Sequence, residues 1–383
     1  MDHCAVAAAR SPLRTWHLTH GATLKEFCGC ELPGRFSADP AQEYRAVREA
    51  AGLLDLSFRT QVRVTGADRV SFCQGMMTND VARLAEGEGC YAAMLTAQGR
   101  LVADFRVLAL RGAFLLDVDA RIKDKLVGSL SRYIVGDDVA LEDEGAAWVS
   151  LGVEGPKWRA VLEAAGSSVA PLARICDHAQ AQAAGTDVRI VRSSLTGEDG
   201  CQILVPRQAA ETLWEGLLAA GSGVGVRPVG TDALDTLRIE AGIPWYGHDM
   251  DESRVVLEVG LDSAISHTKG CYLGQEVVER ASARGHVNRR LTGLVLGGTT
   301  VPASGDKVLH DAREVGWVTS ATLSPYLERA ICLAYVRREC LRPGTRVLID
   351  KGGEMMIAEV LSLPFYKKRD TRGGTSVDDQ PAR

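Results

Sequence analysis

No stretch of this 383-residue chain approaches the ~20 consecutive apolar residues that a membrane-crossing helix requires. The opening Met1–Arg14 is rich in alanine but lacks the charged, then apolar, then small order of an export signal. Positive charge is not in excess either. The formal net charge is −5 and the pI is near 6.0, so nothing marks sequence-blind nucleic-acid binding. No glycine-rich nucleotide loop points to a fused dehydrogenase, and no strong internal repeat is present. Ten cysteines are scattered without a metal-like rhythm; Cys28 and Cys30, one residue apart, do not have zinc-knuckle spacing. A disulfide framework is not expected in so long a chain without an export signal, so most cysteines read as small buried hydrophobes. These absences lead us to expect a cytoplasmic protein with no membrane, nucleic-acid or metal partner.

What is present is an ordinary globular mixture, 46% hydrophobic and 24% charged, enough for a sizeable core. Three blocks follow one another. The first alternates helices and strands to about Glu144. Asp39-Pro40-Ala41-Gln42 carries an N-cap, a first-turn proline and a glutamine three residues on, so a helix starts there. Tyr91–Ala97 and Leu101–Leu110 flank Gln98-Gly99-Arg100 and predict a hairpin. The second block, to about Gly285, interleaves strands such as Trp148–Val153 and Gln202–Val205 with helices such as Thr231–Ala241. Tight turns join several strands, which favours an α+β fold over a doubly wound one. The third block, Leu291–Phe365, is nearly all strand and suits a small barrel or sandwich. The polar tail beyond Lys367 is expected to be disordered.

Four constellations can carry chemistry. On Leu101–Leu110, alternation sets Leu101, Ala103, Phe105, Val107 and Ala109 on one face and Val102, Asp104, Arg106 and Leu108 on the other. Asp104 then belongs either to a half-solvated face near Arg106 or to a pocket, where it can orient an amine or accept its proton. Ser193–Gly200 reads first as a compact turn. Trp245–Glu252 mixes aromatics, His248 and carboxylates; its spacing matches no ligand set, and a loop lining a pocket for a flat ring fits better. Lys269-Gly270-Cys271-Tyr272 precedes a helix start at Gly274-Gln275-Glu276, with Glu276 and Arg280 paired four apart. Cys271 is either a buried structural thiol or a reactive one, since a helix start and a nearby lysine both favour the thiolate.

From about Ala38 to Phe365 the sequence resembles the family of the glycine-cleavage T-protein (aminomethyltransferase) and the YgfZ-type folate-binding proteins. The resemblance rests on Gly52–Ser57, Met77–Asp80, Thr196–Gly200, Leu237–Gly242 and Tyr246–His248. It implies mixed α/β domains around a central folate cleft with a small C-terminal β-barrel domain. The domains expected are an N-terminal extension (1–37), two T-protein-like α+β parts (38–145 and 146–287), the barrel (288–366) and a tail (367–383). Lys269–Tyr272 with Gly274–Glu276, Arg280 and Arg284-Gly285 looks like the signature of the YgfZ branch.

That branch implies a monomeric, tetrahydrofolate-binding protein supporting assembly or repair of iron–sulfur client enzymes. The wider family implies two alternatives: an aminomethyltransferase, or a folate-dependent demethylase of a small substrate. The resemblance gives chemical roles to Asp104 and Cys271, with the thiol facing the folate cleft. It gives folate contacts to Asp104, Gln202, Arg238, Tyr246, Lys269, Arg280 and Arg284. Three positions depart from the T-protein pattern: Leu195 stands for a tyrosine, Gln202 for a pterin-binding glutamate and Leu234 for an arginine. A charge-assisted contact is roughly twice as strong as a neutral one, so Gln202 implies a weaker or different folate contact.

Overall fold

A computed structural model of the chain describes residues 8–168, 172–283 and 287–367. Two sheets of unequal size face each other. The six-stranded sheet runs His178–Ala183, Thr186–Arg192, Gly200–Pro206, Trp148–Glu154, Ala51–Asp55, Val226–Val229. The five-stranded sheet runs Gly89–Leu95, Leu101–Leu110, Ala113–Asp119, Arg59–Thr65, Ala140–Asp143. The chain changes sheets between Asp55 and Arg59, so Ala51–Asp55 pairs with Trp148–Glu154 from far along the sequence. Almost all pairing is antiparallel; within these two sheets only Ala51–Asp55 with Val226–Val229 is parallel. This is the α+β arrangement that the tight turns implied.

Each large sheet buries one face under helices. The apolar face of Leu101–Leu110 contributes Ala103, Phe105, Val107 and Ala109 to a core completed by Phe72, Leu126 and Leu130. The last three lie on helices Arg69–Met76 and Lys123–Ser131. The six-stranded sheet packs Leu151, Val153, Ile190 and Ile203 against Trp158, Leu213, Trp214 and Leu217. Each such side chain, fully removed from water, contributes about 1.5–3 kcal/mol. The opposite faces of the two sheets look toward each other and enclose the cavities described below.

Residues 8–37, the described part of the segment read as an N-terminal extension, pack into the fold. Strands Ala9–Arg10, Cys30–Arg35 and Thr23–Phe27 form a small sheet in that order, and helix Arg14–Thr19 lies between the first and the last of them in the chain. Leu13 and Trp16 enter the main core, and His17 pairs with Asp55 at 2.8 Å inside the protein. Sequence patterning missed these strands because they are short and interrupted by Pro33 and glycines. Helix Pro40–Glu49 starts as its signals indicate: the Asp39 carboxylate accepts from the Ala41 N–H at 3.0 Å.

The C-terminal unit is a closed barrel ordered Arg289–Leu296, Arg329–Arg337, Arg313–Ser324, Lys307–His310, Arg346–Lys351, Glu354–Leu361. It docks on helix Thr231–Glu240, whose Ile239 is sealed by Leu291, Ile331, Leu333, Tyr335 and Phe365. The expected tail lies outside the described residues beyond Lys367. Among the described residues no helix is long and apolar enough to cross a membrane.

Candidate active site

A cavity of about 570 Å3 lies where the two sheets meet the Gly242–Trp245 and Gly260–Ser263 loops. The polar face of Leu101–Leu110 supplies its chemistry. Asp104 and Arg106, two apart and therefore on one side of the strand, both line it. Arg59 joins them from a strand two places away in the same sheet. Leu195, Ile243, Trp245 and Leu261 make the apolar walls.

The neighbour that Asp104 chooses is Tyr91, not Arg106. The Tyr91 hydroxyl donates to Asp104 Oδ2 at 2.8 Å from the adjoining hairpin strand. Burial pushes the Asp104 carboxyl above its ordinary range; the Tyr91 hydrogen bond and the Arg59 charge pull the other way without cancelling it. The same burial, with Asp104 beside it, pushes the Tyr91 phenol up. The pair therefore holds a carboxyl with raised proton affinity at the wall of a cavity, the property a general acid or base needs.

The charges of the two arginines are committed to Asp117, which does not line the cavity. Arg59 grips Asp117 through Nε and Nη2 at 2.9 and 2.7 Å, and Arg106 approaches the same carboxylate at 3.5 Å. Burial raises the Asp117 carboxyl, but Arg59 and Arg106 outweigh this and hold it low. Gln202 sits inside this network rather than in the cavity. It is 1% exposed; its amide donates to Asp117 Oδ1 at 3.0 Å and Ser150 Oγ at 2.8 Å, and its carbonyl oxygen accepts from Arg106. All its polar capacity faces protein groups, so the expected direct folate contact does not follow.

The other expected ligands are also placed elsewhere. Arg238 is 1% exposed and ties three parts of the chain together. It pairs with Asp249 at 2.6 Å and Asp235 at 2.7 Å, donates to Ser320 of the barrel at 2.8 Å, and stacks on Trp245 with 4.9 Å between guanidinium carbon and ring centre. Phe27 and Phe58 hold the other sides of that indole, at 5.2 and 5.5 Å. Arg238 thus positions a cavity wall without reaching the cavity. Tyr246 turns its hydroxyl to Lys125 at 2.9 Å, and its carbonyl accepts from Arg121 at 2.6 Å. Lys269 spends its ammonium on the carbonyls of Gln74, Met77 and Asn79, at 2.6, 2.6 and 2.9 Å. It closes the end of helix Arg69–Met76 and fixes the Asn79 turn, and Asn79 does line the cavity.

Cys271 does not line the cavity. It lies exposed on the loop before helix Gln275–Ala283, the one exposed thiol among the described cysteines. Arg280 points outward and pairs with Glu276 along that helix. Arg284 lies outside the described residues. The motif spacing correctly marked a loop and a helix start, but it carried no information about which way the loop faces.

Several residues of the site gave no clear signal in sequence. Tyr91, in a strand of ordinary composition, was legible only as the hairpin partner of Asp104's strand. Asn79 bridges Tyr91 O at 2.8 Å and Ser263 O at 3.1 Å, holding the strand to a loop distant in sequence. Glu154 is fully buried and accepts from Leu195 N–H at 2.8 Å and from Thr196 Oγ1, so it holds the Ser193–Gly200 turn against the cavity. Burial lifts its carboxyl to about 7 despite these donors. Among the described residues no cluster of three His, Cys, Asp or Glu is arranged to hold a metal ion.

Residues 13–269 match the GCVT N-terminal domain, and residues 289–367 match the glycine cleavage T-protein C-terminal barrel domain. The first match begins at 13, inside the segment expected to be an extension. An aminomethyltransferase of Geobacillus kaustophilus is 34% identical over 362 residues, covering 94% of this chain and 99% of that one. An aminomethyltransferase of Bacillus subtilis is 34% identical over 365 residues, with the same shares covered. The solved glycine cleavage system aminomethyltransferase T of Bartonella henselae superposes with a TM-score of 0.86 at 26% identity, over 94% of this chain and 98% of that one. The chain belongs to the glycine cleavage T-protein family.

Proposed function

We propose that this chain is a folate-dependent one-carbon transferase of the aminomethyltransferase kind, working in the cavity beside Asp104. The acceptor in this reading is tetrahydrofolate, which aminomethyltransferases of this family use. The single observation that carries it is a buried carboxyl of raised proton affinity, held by Tyr91, on the wall of a cavity sized for a small organic molecule. A volume of about 570 Å3 with Trp245, Ile243 and Leu195 on its walls suits a flat heteroaromatic ring, so the residues fit the group.

When bound, tetrahydrofolate supplies a ring amine that takes up a one-carbon unit. The chain's own part is protonic and positional. Asp104, at the cavity wall, orients an amine and takes or returns its proton. Tyr91 holds Oδ2 with a hydrogen bond and so orients the carboxylate. Trp245, clamped by Arg238, Phe27 and Phe58, keeps one wall flat. The Arg59–Asp117–Arg106–Gln202 network stiffens the floor.

The test is direct. Purified protein with tetrahydrofolate and an aminomethyl-loaded carrier protein is expected to yield methylene-tetrahydrofolate, and Asp104→Asn is expected to lose it by about 10²-fold or more, as for removal of a general acid–base group. No product from the wild type would refute the reading. A second reading, support of iron–sulfur enzymes, rests on the exposed Cys271 in its Lys-Gly-Cys-Tyr setting. The relatives' names favour transfer. A strain carrying Cys271→Ala with normal cluster-enzyme activities, beside a defective deletion strain, would remove the thiol from that role.

A further inference from the structure

A second cavity, of about 590 Å3, opens elsewhere in the crevice between the two sheets. One apolar cluster serves both cavities: Cys176 lines the first, while Leu115 and Leu204 line the second. Trp148, Leu110 and Pro206 extend the second cavity's apolar surface. Its polar groups are unevenly matched. Arg63, from the five-stranded sheet, engages Glu144 through Nε only; its two terminal NH2 groups have no hydrogen-bond partner among the described residues. Arg189, from the six-stranded sheet, has no carboxylate at ion-pair distance among the described residues.

What Arg189 does have is a histidine. Its Nη1 donates to His178 Nδ1 at 2.8 Å. Burial, and then Arg189 itself, pushes His178 down to about 4, so near neutral pH that ring is an uncharged acceptor. It orients the guanidinium without neutralising it. Burial and the nearby Arg63 both act against the charge on Arg189. The other carboxylate of the lining, Asp187, is exposed and accepts from Gln182 Nε2 at 3.0 Å. The cavity therefore presents two guanidiniums with unused donors and an indole wall.

We propose that this cavity binds a small aromatic carboxylate. Its carboxylate lies with Arg63 and Arg189 and its ring on Trp148. Guanidinium donors match a carboxylate in both charge and planar geometry, and an anion there relieves the repulsion between the two arginines. This site goes beyond the transfer reading and does not depend on it.

The experiment is calorimetric titration of the full chain with 4-aminobenzoate, with benzylamine as a ring of opposite charge. The expected result is saturable 1:1 binding of 4-aminobenzoate, none of benzylamine, and affinity that falls as salt rises. Arg189→Gln is expected to weaken binding about tenfold or more, the loss of one charge-assisted contact. Arg63→Gln gives a second arm should the first variant fail to fold, which far-UV circular dichroism reports. Asp104→Asn and saturating tetrahydrofolate are both expected to leave binding intact. Absence of saturation, affinity unchanged from the wild type in both arginine variants, loss of binding in Asp104→Asn, or displacement by tetrahydrofolate would each overturn the site. The last two outcomes would put the probe in the first cavity.

Discussion

Asp249→Ala offers the sharpest test of the claim that Arg238 is a structural tie rather than a ligand contact. The Asp249 carboxylate is sealed from solvent and accepts three hydrogen bonds: from Arg238 Nη1 at 2.6 Å, Trp245 N–H at 3.0 Å and Thr319 Oγ1 at 2.6 Å. Removing it strands a guanidinium that is 1% exposed, with Asp235 as its remaining charged partner. Breaking one side of a buried pair costs about 3–5 kcal/mol. At about 2.1 cal/mol/K per residue, unfolding this chain as one unit carries an entropy of about 0.8 kcal/mol/K, so the melting temperature should fall by about 4–6 °C. The assay is differential scanning calorimetry of wild type, Asp249→Ala, Arg238→Met and the double variant. Because a hydrophobic replacement of a whole buried pair is often near neutral, the double variant should be more stable than the sum of the singles predicts, by about 1–3 kcal/mol. Strict additivity, or a single-variant cost below about 1 kcal/mol, would refute the account of Arg238 as a charged rivet between helix, cavity wall and barrel.

Three further outcomes follow from the site. Tyr91→Phe removes a hydrogen bond that lowers Asp104, so the pH–rate limb belonging to Asp104 should move to higher pH; an unmoved limb means Asp104 does not set it. Lys269→Met leaves three carbonyls without their donor, at about 1–3 kcal/mol for each that stays buried, and should weaken folate binding through the Asn79 turn; urea unfolding and folate titration read the two effects. Glu154 binds its proton more tightly folded, at about 7, than unfolded, near 4.5. Its contribution is complete below about pH 4.5 and is lost as pH rises through 7, so stability should decline across that window. Glu154→Gln should flatten that decline in melting temperature, and an unchanged slope would show that another group causes it.

The hairpin around Gln98-Gly99-Arg100, the barrel's strand-rich composition and the polar face of Leu101–Leu110 were written in local pattern. Alternation put Asp104 and Arg106 on one side whatever surrounded them, and Asp39-Pro40 had to start a helix. Pattern alone left open what that polar face meets, because a strand face opposite water and one opposite a second sheet alternate identically. Only the packed sheets made the Asp104 face a cavity wall and supplied Tyr91 as its partner. The motif residues show the same divide. Lys269 and Arg238 carry charges that any reading would assign to a ligand, but the fold surrounds them with carbonyls and carboxylates from segments distant in sequence. Cys271 sits on a loop whose facing is set by the neighbours it packs on. Burial and partner choice are long-range properties: they decide which ionisable groups are spent inside the protein and which remain for chemistry.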